Sequence, residues 1–196
     1  MSDIFDAIVL GGGAAGLMCA LTAGQRGKRV LVIEKSNKLA KKILMSGGGR
    51  CNFTNLYISA DNYVCPNPHF VKSALKQYTQ WDFIDLVERH GIAYHEKKHG
   101  QLFCDNSAKD ILNILIAECD RGKVKSICDT EISEIDRSGD NYFLKSERGC
   151  FQTRNLIVAT GGLSIPTLGG SGFAYEYASR RGFKVCLLYT SDAADD

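Results

Sequence analysis

Ala7-Ile8-Val9-Leu10-Gly11-Gly12-Gly13-Ala14-Ala15-Gly16 is the stretch that decides the fold. A wholly apolar run, of the kind a strand buried on both faces shows, leads straight into glycines. Leu17, Ala20, Leu21 and Gly24 then recur at helical spacing, and Gly27 stands one residue beyond Arg26, where a left-handed C-terminal cap belongs. Val30 to Ile33 follows as a second buried strand, which closes a βαβ unit of about 30 residues and implies a parallel sheet. Within it Gly11, Gly13 and Gly16 have the spacing Gly-x-Gly-x-x-Gly in the context that makes that spacing specific, after a strand and opening a helix. Gly11 permits the tight turn, Gly13 removes a side chain that would keep a pyrophosphate off the helix N-terminus, and Gly16 lets helix and strand pack closely. Ala14 and Ala15 complete the first turn. Glu34, 18 residues after Gly16, ends the second strand, where a carboxylate accepts hydrogen bonds from both ribose hydroxyls and repels a 2′-phosphate. The alternative is a plain glycine turn of an α/β domain. Strand, helix and acid together favour an adenine dinucleotide, FAD or NAD.

Downstream the pattern leaves the sheet. Ser36 to Ser107 reads as an excursion holding a Lys-rich stretch (Lys38, Lys41, Lys42, with Lys35 just before it), a second glycine cluster and a Pro/Asn loop at Cys65-Pro66-Asn67-Pro68. Thr79 with Asp82 makes a capping box for a helix that buries Trp81, Ile84 and Val87 and stops at Gly91, and two short strands are expected at Ile92 to His95 and Gln101 to Cys104. Ser107 with Asp110 caps another helix, striped by Ile111, Leu112, Leu115 and Cys119 and ended by Gly122. Val124 to Cys128 is the third parallel strand. Three antiparallel pieces, Glu131 to Ile135, Tyr142 to Lys145 and Cys150 to Thr153, precede a fourth buried strand, Leu156 to Ala159, which ends in Thr160-Gly161-Gly162. A last helix spans Phe173 to Arg181, and a strand begins at Phe183 to Val185. The end, Cys186-Leu187-Leu188-Tyr189-Thr190-Ser191-Asp192-Ala193-Ala194-Asp195-Asp196, is small, acidic and patternless, and resembles the translation of a transposon-type sequencing adapter. Residues 186–196 are therefore set aside as a non-native tail, leaving 1–185 as one domain, the front part of a longer protein, its sheet incomplete at the C-terminus.

The whole chain has 196 residues, 44% hydrophobic and 23% charged, enough for one globular domain with a core. Its formal charge of +2 lacks the electrostatic footprint of nucleic-acid or anionic-membrane binding, so a small-molecule partner is expected, with no nucleic acid and no membrane. The start, Met1-Ser2-Asp3-Ile4-Phe5-Asp6, carries acid where a leader carries base, which reads as cytoplasmic. None of the eight cysteines forms Cys-x-x-Cys, so free thiols are expected rather than a zinc knuckle or a thioredoxin-type pair. Oligomeric state is not readable.

A nicotinamide domain normally continues strand-helix-strand. Here the long excursion and the antiparallel pieces make the layout look like the glutathione-reductase type of FAD domain, a Rossmann-type parallel sheet plus a three-stranded antiparallel meander. The most distinctive string is Ser46-Gly47-Gly48-Gly49-Arg50-Cys51-Asn52-Phe53-Thr54-Asn55, whose consecutive glycines suit an anion nest beside the fixed charge of Arg50. With Gly11 to Gly16, Glu34, Gly100-Gln101-Leu102-Phe103-Cys104 and Gly161-Gly162-Leu163-Ser164-Ile165-Pro166, it resembles a bacterial family of NAD(P)/FAD-dependent oxidoreductases. These are aminoacetone-oxidase-like flavoproteins that include a 3-dehydro-bile-acid reductase, and the resemblance covers about residues 4 to 185. It implies FAD held by Gly13 to Gly16, Glu34, Lys35, the loop Gly48, Gly49, Arg50, Cys51 and Asn52, backbone near Ile132, and Thr160 with Gly161. Lys42 and Gly162 belong to the same candidate set, and NAD(P)H is the candidate electron donor. A substrate-covering insertion and a closing flavin segment, also implied, lie beyond this chain. No residue stands out as general acid or base.

Several features invite other readings. His95-Glu96-Lys97-Lys98-His99 spells a zinc-peptidase motif, which needs both histidines on one helical face, yet glycines bound it and strand-like residues flank it. Cys51 is either a low-pKa thiol facing flavin or a packed core residue. The lysines neutralise a pyrophosphate or form a solvated face. Gly169-Gly170-Ser171-Gly172 binds an anion or simply starts the last helix. A non-catalytic dinucleotide module and an NAD-dependent dehydrogenase remain as alternative functions.

Overall fold

The apolar run that opens the chain is a strand, β1 (Ile4–Leu10), and the computed structural model describes residues 4–64, 67–163 and 170–185. The helix after the glycine turn, α1 (Ala14–Gln25), buries Gly16, Leu17, Ala20, Leu21 and Gly24, the stripe expected from their spacing. It stops because Gly27 adopts a left-handed φ of 77°, so that its N–H reaches Gly24 O at 2.8 Å and the Lys28 N–H reaches Ala23 O at 3.1 Å. β2 (Val30–Ile33) is buried throughout and pairs parallel with β1, Ala7 opposite Val30 and Leu10 opposite Ile33.

The excursion holds α2 (Lys41–Met45), a 3-10 turn at Ser46–Gly49, β3 (Asn52–Asn55), α3 (Lys72–Gln77), α4 (Gln80–Arg89), β4 (Tyr94–Glu96) and β5 (Gln101–Cys104). The three strands form their own antiparallel sheet in the order β3-β5-β4. Both strands expected near residues 92–104 are present. β3 was not foreseen, because its sequence Asn-Phe-Thr-Asn has loop composition and is drawn into a ladder by β5. α4 starts on the expected Thr79/Asp82 box and buries Ile84, Leu86 and Val87, but Trp81 is 58% exposed. It stands one turn before Ile84 and lines a shallow hollow with Leu56, Ile84 and Leu102 instead of entering the core.

α5 (Ala108–Arg121) begins on the Ser107/Asp110 capping box and buries Ile111, Ile114, Leu115 and Cys119, with Leu112 only partly covered. Then come β6 (Lys125–Ile127), β7 (Ile132–Ser138), β8 (Asn141–Ser146), β9 (Gly149–Val158) and α6 (Phe173–Arg180). The large sheet runs β6-β2-β1-β9-β8-β7, parallel from β6 to β9 and antiparallel from β9 to β7. The third antiparallel piece and the fourth parallel strand expected from the sequence are therefore one ten-residue strand, β9. No glycine or proline interrupts residues 150–158, and Thr153, fully buried, anchors the midpoint by donating from Oγ1 to Phe5 O at 3.2 Å and Asn155 O at 2.9 Å. Leu156, Ile157 and Val158 are half-buried rather than covered on both faces. Residues 183–185 form no strand, since no neighbouring strand among the described residues pairs with them. The tail 186–196 and most of the 161–166 and 169–172 motifs' shared loop, residues 164–169, lie outside the described residues, as do residues 65–66.

Alternation along the central strands splits the core in two. Ala7, Val9, Val30 and Val32 face α1 and α5, while Ile8, Leu10, Leu31 and Ile33 pack with Leu144 and Phe173 on the other side. Both faces of the β1–β2 pair are thus fixed, and the carboxyl ends of these strands, with the loops leaving them, are held rigidly. Among the described residues no helix is long and apolar enough to cross a membrane.

Candidate functional site

Beyond the carboxyl ends of β1, β2 and β9, where a parallel sheet leaves room for a ligand, lies a cavity of about 620 Å³. Its floor is the glycine turn. Gly11, at φ 102°, donates its N–H to Ile33 O at 2.8 Å, and a Cβ there would lie 2.4 Å from Ala159 O, so only glycine lets β1 and β9 end side by side. Gly16 does not reach the cavity. An added Cβ would stand 1.9 Å from Gly11 O, which makes its role the close seating of α1 on the turn. Gly13 differs from both: it lines the cavity and an added Cβ would meet no protein atom within 4 Å. Gly13 is also the N-cap of α1, without a side-chain cap or an acidic residue in the first turn, so the helix presents uncompensated amides and a partial positive charge beside Ala14 and Ala15.

Glu34 faces this helix end. Its Oε2 accepts from the Gly12 N–H and its Oε1 from the Ser36 N–H, both at 2.7 Å, so two backbone amides hold the carboxylate in one orientation. Each oxygen keeps a further lone pair for an incoming hydroxyl. Thr130, Glu131 and Ile132 form the wall next to Glu34, and Lys35 is tied across it to Glu131 at 2.6 Å. Lys38, Lys41 and Lys42 line the cavity as well, so the four lysines outnumber the two carboxylates along its wall. Lys42 Nζ sits 3.1 Å from where a Gly161 Cβ would be, against the turn that ends β9. In that turn Thr160 Oγ1 is buried with no hydrogen-bond partner. A buried hydroxyl without a partner is uncommon and costs free energy unless something bonds it. An adenine dinucleotide fits the whole set: amides and lysines for a diphosphate, a held carboxylate for a ribose, a pinched glycine turn that admits no side chain, and an orphan hydroxyl beside that turn.

The structure thus brings Gly11, Gly13, Ala14, Ala15, Glu34, Lys35, Lys42, Ile132, Thr160 and Gly161 into one cavity wall. It leaves Gly48, Gly49, Arg50, Cys51, Asn52 and Gly162 out of that wall. Gly47, Gly48 and Gly49 take φ of 58°, 66° and 84°, consecutive left-handed residues in a 3-10 turn that uses its own following amides, Arg50 N–H reaching Gly47 O at 3.4 Å and Cys51 N–H reaching Ser46 O at 3.0 Å, with Arg50 exposed beside it. Cys51 is buried within the core cluster, where burial pushes its thiol up against a weaker opposing bond from Ser46, so it packs rather than presenting a thiolate. Asn52 opens β3, its amide within reach of Thr54 O and Leu102 O. Gly162 adjoins the Tyr175 hydroxyl of α6. Wall residues that sequence reasoning missed include Ala40, whose N–H reaches Gly12 O at 2.8 Å, and Phe173. Ala40 gives no sequence signal, whereas Gly170 and Ser171, also in the wall, belong to the Gly-Gly-Ser-Gly turn that was flagged. His95 lies on β4 and bonds Asp105 at 2.6 Å, while His99 sits at φ 61° in a 3-10 turn, so the two imidazoles share no helical face and the zinc-peptidase geometry is not formed.

Residues 5–188 match the family described as HI0933-like protein Rossmann domain. The chain is 51% identical over 181 residues to the ribosomal RNA dihydrouridine synthase of Escherichia coli (strain K12), covering 92% of the chain and 45% of that protein. It is 28% identical over 177 residues to the 3-dehydro-bile acid delta(4,6)-reductase of Clostridium scindens, covering 89% and 43%. The chain spans about half the length of the curated relatives it matches. Among solved structures, the 3-ketosteroid-delta4-(5alpha)-dehydrogenase of Rhodococcus jostii RHA1 superposes with a TM-score of 0.60 at 14% identity, over 83% of this chain and 47% of that one, a likeness of fold.

Proposed function

The chain belongs to the HI0933-like protein Rossmann domain family, and from that premise we propose that it is the FAD-binding half of a flavoprotein oxidoreductase that reduces a uridine in ribosomal RNA. The observation that carries the cofactor is the buried, unpartnered Thr160 Oγ1 in the turn that abuts Gly11, on a residue that lines the same cavity as Glu34 and the bare N-terminus of α1. In this reading the first-turn amides of α1 with Lys41 and Lys42 hold the diphosphate, Glu34 holds the adenosine ribose, and Thr160 with Gly161 borders the cofactor from the β9 side. Bound there, the isoalloxazine supplies hydride transfer while the protein supplies binding and orientation. NAD(P)H is the proposed electron donor, and the cytoplasm the proposed compartment.

The substrate class rests on what the relatives' names share. A dihydrouridine synthase and a delta(4,6)-reductase each reduce a carbon–carbon double bond, and in uracil that bond is conjugated to a carbonyl. One hydride and one proton add across it and nothing leaves. Identity of 51% supports uridine over other conjugated double bonds. A small-molecule substrate is the second reading, favoured by the formal charge of +2 and by the bile-acid reductase relative.

The first test is flavin titration of the purified chain. One FAD per chain is expected, with Glu34→Ala weakening retention at least tenfold, whereas binding of NAD but not FAD overturns the cofactor. The second replaces the matching half of the E. coli relative with residues 1–185 and measures dihydrouridine in ribosomal RNA of cells lacking that relative. Restored dihydrouridine supports the uridine reading. A chimera that keeps flavin and reduces a steroid enone but leaves ribosomal RNA unmodified selects the second.

A further inference from the structure

From residue 62 to residue 81 the chain carries no aspartate or glutamate, in a protein where 22 of 196 residues are acidic. Apart from Val71 and Leu75, every described residue of 61–78 is exposed. α3 lies at the centre of this stretch and buries no residue at all. A six-residue helix has little stability of its own, and most helices hold their place by burying an apolar stripe. What α3 displays instead is a repeated polar pattern. Lys72 and Lys76 stand one turn apart in one row, and Ser73 and Gln77 stand one turn apart in the next, the Gln77 amide donating to Ser73 Oγ at 3.0 Å. Phe70, 75% exposed, precedes the helix by two residues, whereas Tyr78, its C-cap, lies within the field of Asp82 and Asp85 and belongs with the acidic side of α4. A large exposed ring next to cations with no acid among their chain neighbours is what a single-stranded nucleic acid recognises, since every base offers a face for stacking and every nucleotide a phosphate.

We infer that the surface formed by Phe70, Lys72 and Lys76 binds single-stranded RNA, a base stacking on the Phe70 ring and phosphates pairing with the lysines. The inference deepens the ribosomal-RNA reading and rests on it. It also accounts for a near-neutral chain serving an RNA substrate, because the attraction is local: no acidic residue in this stretch opposes Lys72 and Lys76. The shallow hollow at Trp81 does not belong to this face, since Asp85, Glu88 and Glu96 line it and repel phosphate.

Fluorescence anisotropy of the purified chain with a short labelled oligouridylate, at low and at physiological salt, tests the face without needing flavin. Wild type is expected to bind with a salt dependence that Lys72→Ala with Lys76→Ala flattens by about 1.4 in the log–log slope, roughly 0.7 for each phosphate neutralised. Phe70→Ala is expected to weaken binding about 5- to 100-fold. Lys109→Ala, on exposed surface of α5, serves as control and changes neither value. RNA binding that neither variant alters overturns this face and leaves the uridine reading standing. Absence of RNA binding, with flavin still bound, overturns the face together with the RNA reading and not the cofactor. Self-association that Phe70→Ala abolishes and RNA does not displace makes the face a contact between copies and overturns the proposal as well.

Discussion

Gly13 and Gly16 sit three residues apart at the start of α1 and do different work, which substitution separates. A methyl at Gly16 would lie 1.9 Å from Gly11 O, a backbone atom that cannot swing aside, so the turn or the helix must move. Gly16→Ala is therefore expected to destabilise the fold by about 2–3 kcal/mol, a fall of roughly 5–10 °C in Tm for a domain of this size. Gly13 has φ −84° and ψ −170°, a conformation alanine adopts freely, and a methyl there meets nothing within 4 Å. Gly13→Ala should melt with wild type yet hold FAD at least tenfold more weakly, because the methyl occupies the space the diphosphate needs. Thermal melting beside flavin titration checks both variants. Equal loss of stability in the two, or undiminished flavin binding in Gly13→Ala, contradicts the assignment of that glycine to the ligand. Both glycines were legible from spacing alone, as a motif, but their division of labour was not. Spacing says nothing of how near Gly11 O comes.

At the level of elements, three helices converge on one buried acid. Glu118 of α5 accepts from Gln25 of α1 at 2.7 Å, from His90 at the end of α4 at 2.8 Å and from Arg121 at 2.8 Å. Burial pulls its pKa up, but the bonds from His90, Arg121 and Gln25 outweigh burial and leave it below the ordinary 4.5. With the folded value depressed, the carboxylate's contribution is fully present above about pH 4.5 and is lost as pH falls through the lower folded value. Glu118→Ala should cost about 2–3 kcal/mol at neutral pH, mostly from the partners left facing a buried void, since Arg121 is itself largely exposed. Glu118→Gln should lose less and flatten the acid limb of the stability curve, which denaturant melts at pH 7 and below pH 4.5 measure. Unchanged acid sensitivity in the glutamine variant removes Glu118 from that role. This knot was invisible in sequence, because Gln25 and His90 lie far from Glu118 in the chain and the nearby Arg121 breaks no local pattern. Helix starts were easy to read for the opposite reason: Thr79/Asp82 and Ser107/Asp110 are local devices, and both formed as expected. The join of two expected strands into β9 and the outward Trp81 were set by tertiary packing, which a window of a few residues does not contain.

Over the whole molecule, the two glycine-rich segments lie in different settings, and this bears on the extent of the cofactor site. The first turn, residues 34–43 and the end of β9 share a cavity wall, while the glycine turn at Ser46–Gly49, read from sequence as a nest, does not, although it follows α2, whose Lys41, Lys42 and Ile43 do. Residues of the wall come from five separate stretches of chain, so the site was legible where a motif marks it and obscure where Ala40 or Phe173 merely completes it. Hydrogen exchange with and without FAD resolves how far the site reaches. Without cofactor, amides of β1, β2 and α5, which carry the buried core, should exchange slowest, and those of α3, which buries nothing, fastest. FAD should then protect residues 11–16, 34–43 and 159–161. If residues 47–52 gain protection with them, the second glycine turn and Arg50 close on the cofactor when it binds, as the family resemblance implies. If they exchange unchanged while the first turn is protected, the second turn lies outside the cofactor's reach, and substituting Arg50 should leave flavin affinity as it was.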